Sequence, residues 1–255
     1  MLHDLFSLGL QMSDSDKPRY RRVVRRPPSR ERRRFSLSSL RPAEIWNTFR
    51  SYFGFSRVAE VEPINSPEAL ARFLDTRASF IAQTSLYGYL RTRAGMRYPE
   101  LFDDDPFVEG INIAKWHIWL DSLSDLSVYA GGRLAQQAPR EMARVGSLMK
   151  SLVDEILESK GTPDEAGAEY AAHVERVRDR VARTDWLAVG KNEEAFTESP
   201  SGLMHWAPVI DQLKQLDEEI VRNSVRFRWQ EVRRDFARHL DTEAMLAALP
   251  GAADR

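Results

Sequence analysis

The sequence predicts an all-α protein: an irregular bundle of five to seven helices around a buried central helix at about 106–130, behind a disordered basic N-terminal arm. Three observations carry this. Apolar residues recur three and four apart through most of residues 43–249. No alternating strand pattern with hairpin turns occurs, and no internal repeat. The stretch from Asp105 to Gly132 is apolar on nearly every side when wound as a helix, which suits a position with neighbours on several faces.

Composition sets the bounds. In 255 residues, 42% are hydrophobic, with 6 Trp and 12 Phe, enough for a substantial core. The chain has no Cys, so disulfides, thiolate metal sites and Cys nucleophiles are excluded, and a cytoplasmic location is the expectation. The net charge of −1 hides an asymmetry. Residues 1–41 hold 11 Lys and Arg against 4 Asp and Glu, a balance of +7; residues 42–255 hold 26 against 34, a balance of −8. A basic arm is joined to an acidic body. No stretch reads as a transmembrane segment, because Lys115, His117, Asp121 and Asp125 interrupt the central helix. The first twelve residues are too short for a secretory core and lack a basic flank.

The elements follow in order. Residues 1–42 form the arm, where like charges and the Pro27–Pro28 pair oppose packing. Ile45, Trp46, Phe49, Tyr52 and Phe53 lie at helical spacing, with Gly54 as a stop. Ser66 caps a helix that opens on Pro67, runs to about Arg93 and stops at Gly95. Asp105 caps the central helix, with Pro106 first in it, and Gly131–Gly132 break or end it. From 140 to 160, Met142, Val145, Met149, Leu152 and Ile156 form a narrow stripe ended by Gly161. Thr162-Pro163-Asp164-Glu165 has capping-box form for a helix on Tyr170, Val174, Val177 and Val181. Residues 185–203 read as a long connection, with room for a short turn of helix.

A helical pattern then runs from about Met204 to Leu240. Its two apolar stripes are offset, so either it kinks near Asn223–Ser224 or its halves face different neighbours. Asp241 caps a short last helix, and residues 250–255 fray.

The chemistry is sparse. His117, Asp121, Ser124 and Asp125 form one polar strip on the central helix, with His117 and Asp121 a turn apart and able to hydrogen-bond. They are the candidate catalytic pair, a carboxylate-oriented base. The favoured reading is plainer: a solvent face or a satisfied polar seam. Arg77 falls inside an apolar stripe, and Asp121 and Asp125 are its expected partners in a buried ion pair. A di-iron site would need Glu three residues before a His, and Ala114, Tyr170, Gly202 and Phe236 stand there instead. No zincin, phosphate-loop or nucleophile-elbow motif is present, so no metal and no cofactor is expected.

Partners are read from charge and aromatics. Arg21, Arg22, Arg25, Arg26, Arg30, Arg32, Arg33 and Arg34 could hold an anionic polymer or membrane surface through residues 17–34, with no sequence-reading motif beside them. Arg32-Arg33-Arg34-Phe35-Ser36 also has the form of a basophilic kinase site. The Arg residues at 222–238 read as a solvated helix face, since Glu231 and Asp235 interleave and Trp229 lies in a core stripe. Trp186, Leu187 and Trp206 are the expected exposed docking points for a protein partner. These features favour a non-enzymatic adaptor or accessory protein that binds another macromolecule. Two alternatives stay open: a small-ligand-binding protein or enzyme at His117, Asp121 and Arg77, and a non-specific nucleic-acid binder. The oligomeric state is open as well.

Overall fold

Ser66 starts the first helix of the body, its hydroxyl accepting from the Ala69 N–H at 3.2 Å. In the computed structural model, residues 62–189 and 195–249 are described. They form seven α-helices: α1 (Pro67–Ala94), α2 (Asp105–Gln137), α3 (Met142–Lys160), α4 (Tyr170–Arg183), α5 (Glu198–Trp206), α6 (Asp211–His239) and α7 (Thr242–Ala247). The all-α class and the bundle around a central helix hold. The arm, with its arginines and Ser36, and the aromatic set at 45–53 lie outside the described residues. No helix among the described residues is long and apolar enough to cross a membrane.

The central helix is α2, and every residue from His117 to Gly132 is buried. It packs on α1, α3, α4 and α5. Its start and end differ from expectation. Asp104 occupies the cap position without a side-chain hydrogen bond, and Asp105 is the first helical residue. Gly131 and Gly132 do not end the helix, which runs on to Gln137. They serve close approach instead. A Cβ at Gly131 would lie 2.6 Å from Trp186 Cε3, and one at Gly132 would lie 2.5 Å from Val189 Cβ. A Cβ at Gly146 of α3 would lie 2.8 Å from Nε1 of the same indole. Each helical glycine costs about 1 kcal/mol relative to alanine; here the seating of a buried tryptophan offsets that cost.

Other boundaries are as the sequence suggests. Gly95 and Gly161 close α1 and α3 with φ of 56° and 62°, the left-handed region that favours glycine. Asp241 caps α7 by accepting from the Ala244 N–H at 3.0 Å. The capping-box stretch behaves differently: Asp164–Ala166 is a single 3-10 turn, and α4 begins only at Tyr170, after Gly167 at φ 79°.

The largest departure lies between 185 and 240. Part of the expected long connection is α5, a close neighbour of the central helix. The break then falls at Ala207–Ile210, where Pro208 interrupts, and α6 is continuous through Asn223–Ser224. The two stripes of α6 face different ways. Val221, Val225, Trp229, Val232 and Phe236 are buried. Leu216, Ile220 and Phe227 are 77%, 74% and 72% exposed. The body is closed at its edge by Ile64, whose N–H donates to His239 O at 2.8 Å and whose carbonyl accepts from Asp241 N at 3.0 Å.

Candidate functional site

Asp121 and Asp125 stand one turn apart on α2, and both are buried. Each is engaged from α4, whose apolar stripe Tyr170, Val177 and Val181 also carries His173 inward. Arg180 lies seven residues beyond His173, so it falls on the same face.

The first half of the seam is a chain of imidazoles. His117 Nε2 lies 3.1 Å from the Ala166 carbonyl oxygen, and His117 Nδ1 lies 2.7 Å from His173 Nδ1. His173 Nε2 in turn lies 2.8 Å from Asp121 Oδ1. The expected bond from His117 to Asp121 is therefore not made directly; His173 stands between them. The tautomers follow from the partners. A carbonyl only accepts, so His117 donates from Nε2. Its Nδ1 then accepts from His173, and His173 Nε2 accepts from a protonated Asp121.

Electrostatics support that assignment. Burial raises Asp121 to about 8, and the Glu198 charge pushes the same way against Arg176 and Arg180. Burial lowers both histidines to about 4, with the neighbouring imidazole adding to the effect at His117 and Arg176 adding to it at His173. Neutral groups joined by three hydrogen bonds cost far less to bury than an ion pair with unmatched lone pairs. The Trp206 ring stacks on His117 with centroids 3.6 Å apart and planes 14° apart. Tyr170 meets the same imidazole edge-on at 6.2 Å.

The second half is built on Asp125, which is fully buried. Its Oδ1 accepts from Arg180 at 2.7 Å, Thr197 N at 3.2 Å and Glu198 N at 3.1 Å. Its Oδ2 accepts from Ser199 N at 2.8 Å and Ser199 Oγ at 2.7 Å. Ser199 Oγ also accepts from Trp229 Nε1 at 2.9 Å. Asp125 is thus the cap of α5, supplied by another helix; Thr197, at the cap position, makes no side-chain cap. Burial raises Asp125 to about 6 against the pull of Arg180 and of the Ser199 hydrogen bonds, so it is ionised at neutral pH. Arg180 also bonds Ser124 Oγ at 3.0 Å and the Ala195 carbonyl at 2.8 Å.

Gly202 explains how close α5 comes. A Cβ there would overlap Asp121 Oδ2 and lie 2.8 Å from its Cγ.

Arg77 does not join this seam. Its guanidinium pairs with Asp235 of α6 at 3.0 Å and lies over the Phe73 ring at 5.7 Å. The expected pairing with Asp121 or Asp125 is replaced because those carboxylates are taken by His173 and Arg180. Of the three expected docking points, one is buried and one half-buried. Trp186 is buried against Gly131 and Gly146, and Trp206 lies on His117; Leu187 remains exposed.

His173, Arg180 and Ser199 are seam residues that the sequence reading did not single out. The signal for His173 is its place three residues after Tyr170 and four before Val177, within the buried stripe. Nothing local marks Ser199. Among the described residues, no group of three or more His, Asp or Glu side chains is arranged to hold a metal ion.

Fold and seam together define a class: an all-α bundle whose central helix is fastened by a sealed His–His–Asp chain and a carboxylate-capped helix. Comparison with protein-family models, curated proteins and solved structures finds no match for the chain.

Proposed function

We propose that the protein is a non-enzymatic adaptor or accessory protein that acts by binding another macromolecule. One observation carries the reading: α6 turns Leu216, Ile220 and Phe227 to solvent, in line with the half-buried Leu213, on the side opposite its core stripe. Large apolar side chains aligned on one exposed helix face are a recurrent form of docking surface. The Arg-rich arm, with +7 against −8 for the remainder, would add electrostatic attachment to an anionic partner. A small-ligand site at His117, Asp121 and Arg77 has less support. The imidazole nitrogens are taken up by one another, by Ala166 and by Asp121, and Arg77 pairs with Asp235.

The test is a quantitative co-purification from native lysate with three baits: the full chain, the chain without residues 1–42, and full-length L216D/I220D. Partners lost specifically with L216D/I220D support the docking face. Recovery of the same set by all three baits sinks the reading.

A further inference from the structure

If α6 is a docking face, its own residues identify the occupant, and the proposal made here rests on that reading of α6. Leu213, Leu216, Ile220 and Phe227 are spaced three, four and seven apart, the period of a coiled-coil seam, and Asn223 fills the remaining seam position. The same helix buries its other stripe against the body. Charge is also split along it. Residues 211–220 hold Asp211, Asp217, Glu218 and Glu219 against Lys214, a balance of −3; residues 222–238 hold Arg222, Arg226, Arg228, Arg233, Arg234 and Arg238 against Glu231 and Asp235, a balance of +4. A parallel copy would set acid on acid and base on base. An antiparallel copy would set each acidic half against a basic half, on both sides of a two-fold axis.

We propose that the exposed seam of α6 binds α6 of a second copy of this chain, antiparallel, about a two-fold axis near residues 221–222. In this register Leu216 of one copy meets Phe227 of the other. Ile220 meets Asn223, and Glu219 lies beside Arg226. Every one of these contacts occurs twice, as a two-fold interface requires. Glu219 and Arg226 are both exposed, so neither must leave a buried position to pair. Asn223 opposite Ile220 costs stability and weakens the seam. The seam from Leu213 to Phe227 is about 21 Å long. An interface of that size exchanges with monomer rather than locking the copies together.

Neither other class of occupant fits the whole helix. A polyanion would be repelled by the acidic half, and a basic segment such as the arm would match only that half.

The test is sedimentation velocity on the full chain across a concentration series, with circular dichroism on each variant to establish that it is folded. The expected result is a monomer–dimer equilibrium that L216D/I220D abolishes. Glu219→Arg alone and Arg226→Glu alone should each weaken self-association about tenfold, since like charges then face each other twice. Mixing the two single variants, one carrying a fluorescent label, should restore dimer, because every swapped charge then meets its opposite. A chain that stays monomeric at every concentration overturns the proposal. So does a dimer indifferent to L216D/I220D, or a mixture no tighter than either variant alone. If the chain is monomeric and L216D/I220D still loses a different protein in co-purification, self-association falls and the adaptor reading stands. If L216D/I220D changes neither, both fall.

Discussion

Asp121 is a carboxylic acid kept neutral by its surroundings, and that has a sign in pH. Its folded pKa of about 8 lies above the ordinary value of 3.8, so the folded state holds the proton more tightly. The associated stability is full below the ordinary value and is lost as pH rises through 8. The two histidines work oppositely: lowered from 6.5 to about 4, their contribution is full above 6.5 and is lost as pH falls through 4. Between those limits the effects oppose each other. From 6.5 to 8 the Asp121 contribution dominates, and stability should fall by about 1–2 kcal/mol. Asp121→Asn mimics the neutral acid, since its amide can donate to His173. Denaturation at pH 6.5 and 8 should show the fall in the parent protein and its absence in D121N. An undiminished fall in D121N would place its origin elsewhere. Gly202→Ala forces a methyl onto Asp121 and should cost about 1–3 kcal/mol, read as a lower Tm. That His117 and Asp121 share one face of the central helix was legible from spacing alone. The bridging imidazole was not, because helix periodicity says which residues share a face but not which helix arrives to meet them.

Elements differ in how much of their stability is their own. α1 and α7 carry local caps, Ser66 and Asp241, and both were readable from a few neighbouring residues. α5 is nine residues long, too short to persist alone, and its start is capped by Asp125, 72 to 74 residues earlier in the chain. That is why the sequence reads this stretch as a connection. Asp125→Ala would leave Arg180 without its buried carboxylate and three N–H groups without an acceptor, a loss of about 3–5 kcal/mol. Hydrogen exchange should quicken first at residues 198–203, with α3 following only on global unfolding. Uniform acceleration across all helices would argue against a local cap. Gly131 and Gly132 teach a related lesson. Glycine ends a helix where it takes the left-handed conformation, as Gly95 and Gly161 do. Here Arg133, Leu134 and Ala135 continue the helix, and the small residues mark where Trp186 and Val189 press in.

For the molecule as a whole, the fold class was legible because every long element shows helical period and none shows strand alternation. The partition of α6 into covered and uncovered stripes was not, since both have the same apolar character in sequence. Its offset stripes were visible; which one meets the body depends on α1 and α5. At this scale the charge asymmetry makes its own prediction. Binding of the full chain to anionic vesicles or RNA should weaken steeply with salt, and removing residues 1–42 should flatten that dependence. Equal slopes for the two proteins would show that the arm contributes no ionic contacts.

Ile64 sits between His239 and Asp241 in a parallel backbone bridge, and its two hydrogen bonds have a mechanical meaning. Tension between an anchor at the arm and one beyond α7 would draw Ile64 toward the N-terminus and Leu240 toward the C-terminus. In a parallel pair those pulls run in opposite directions along the bridge, so both bonds are sheared together rather than peeled one after the other. The helices between them would be shielded from such a load until that clasp gives way.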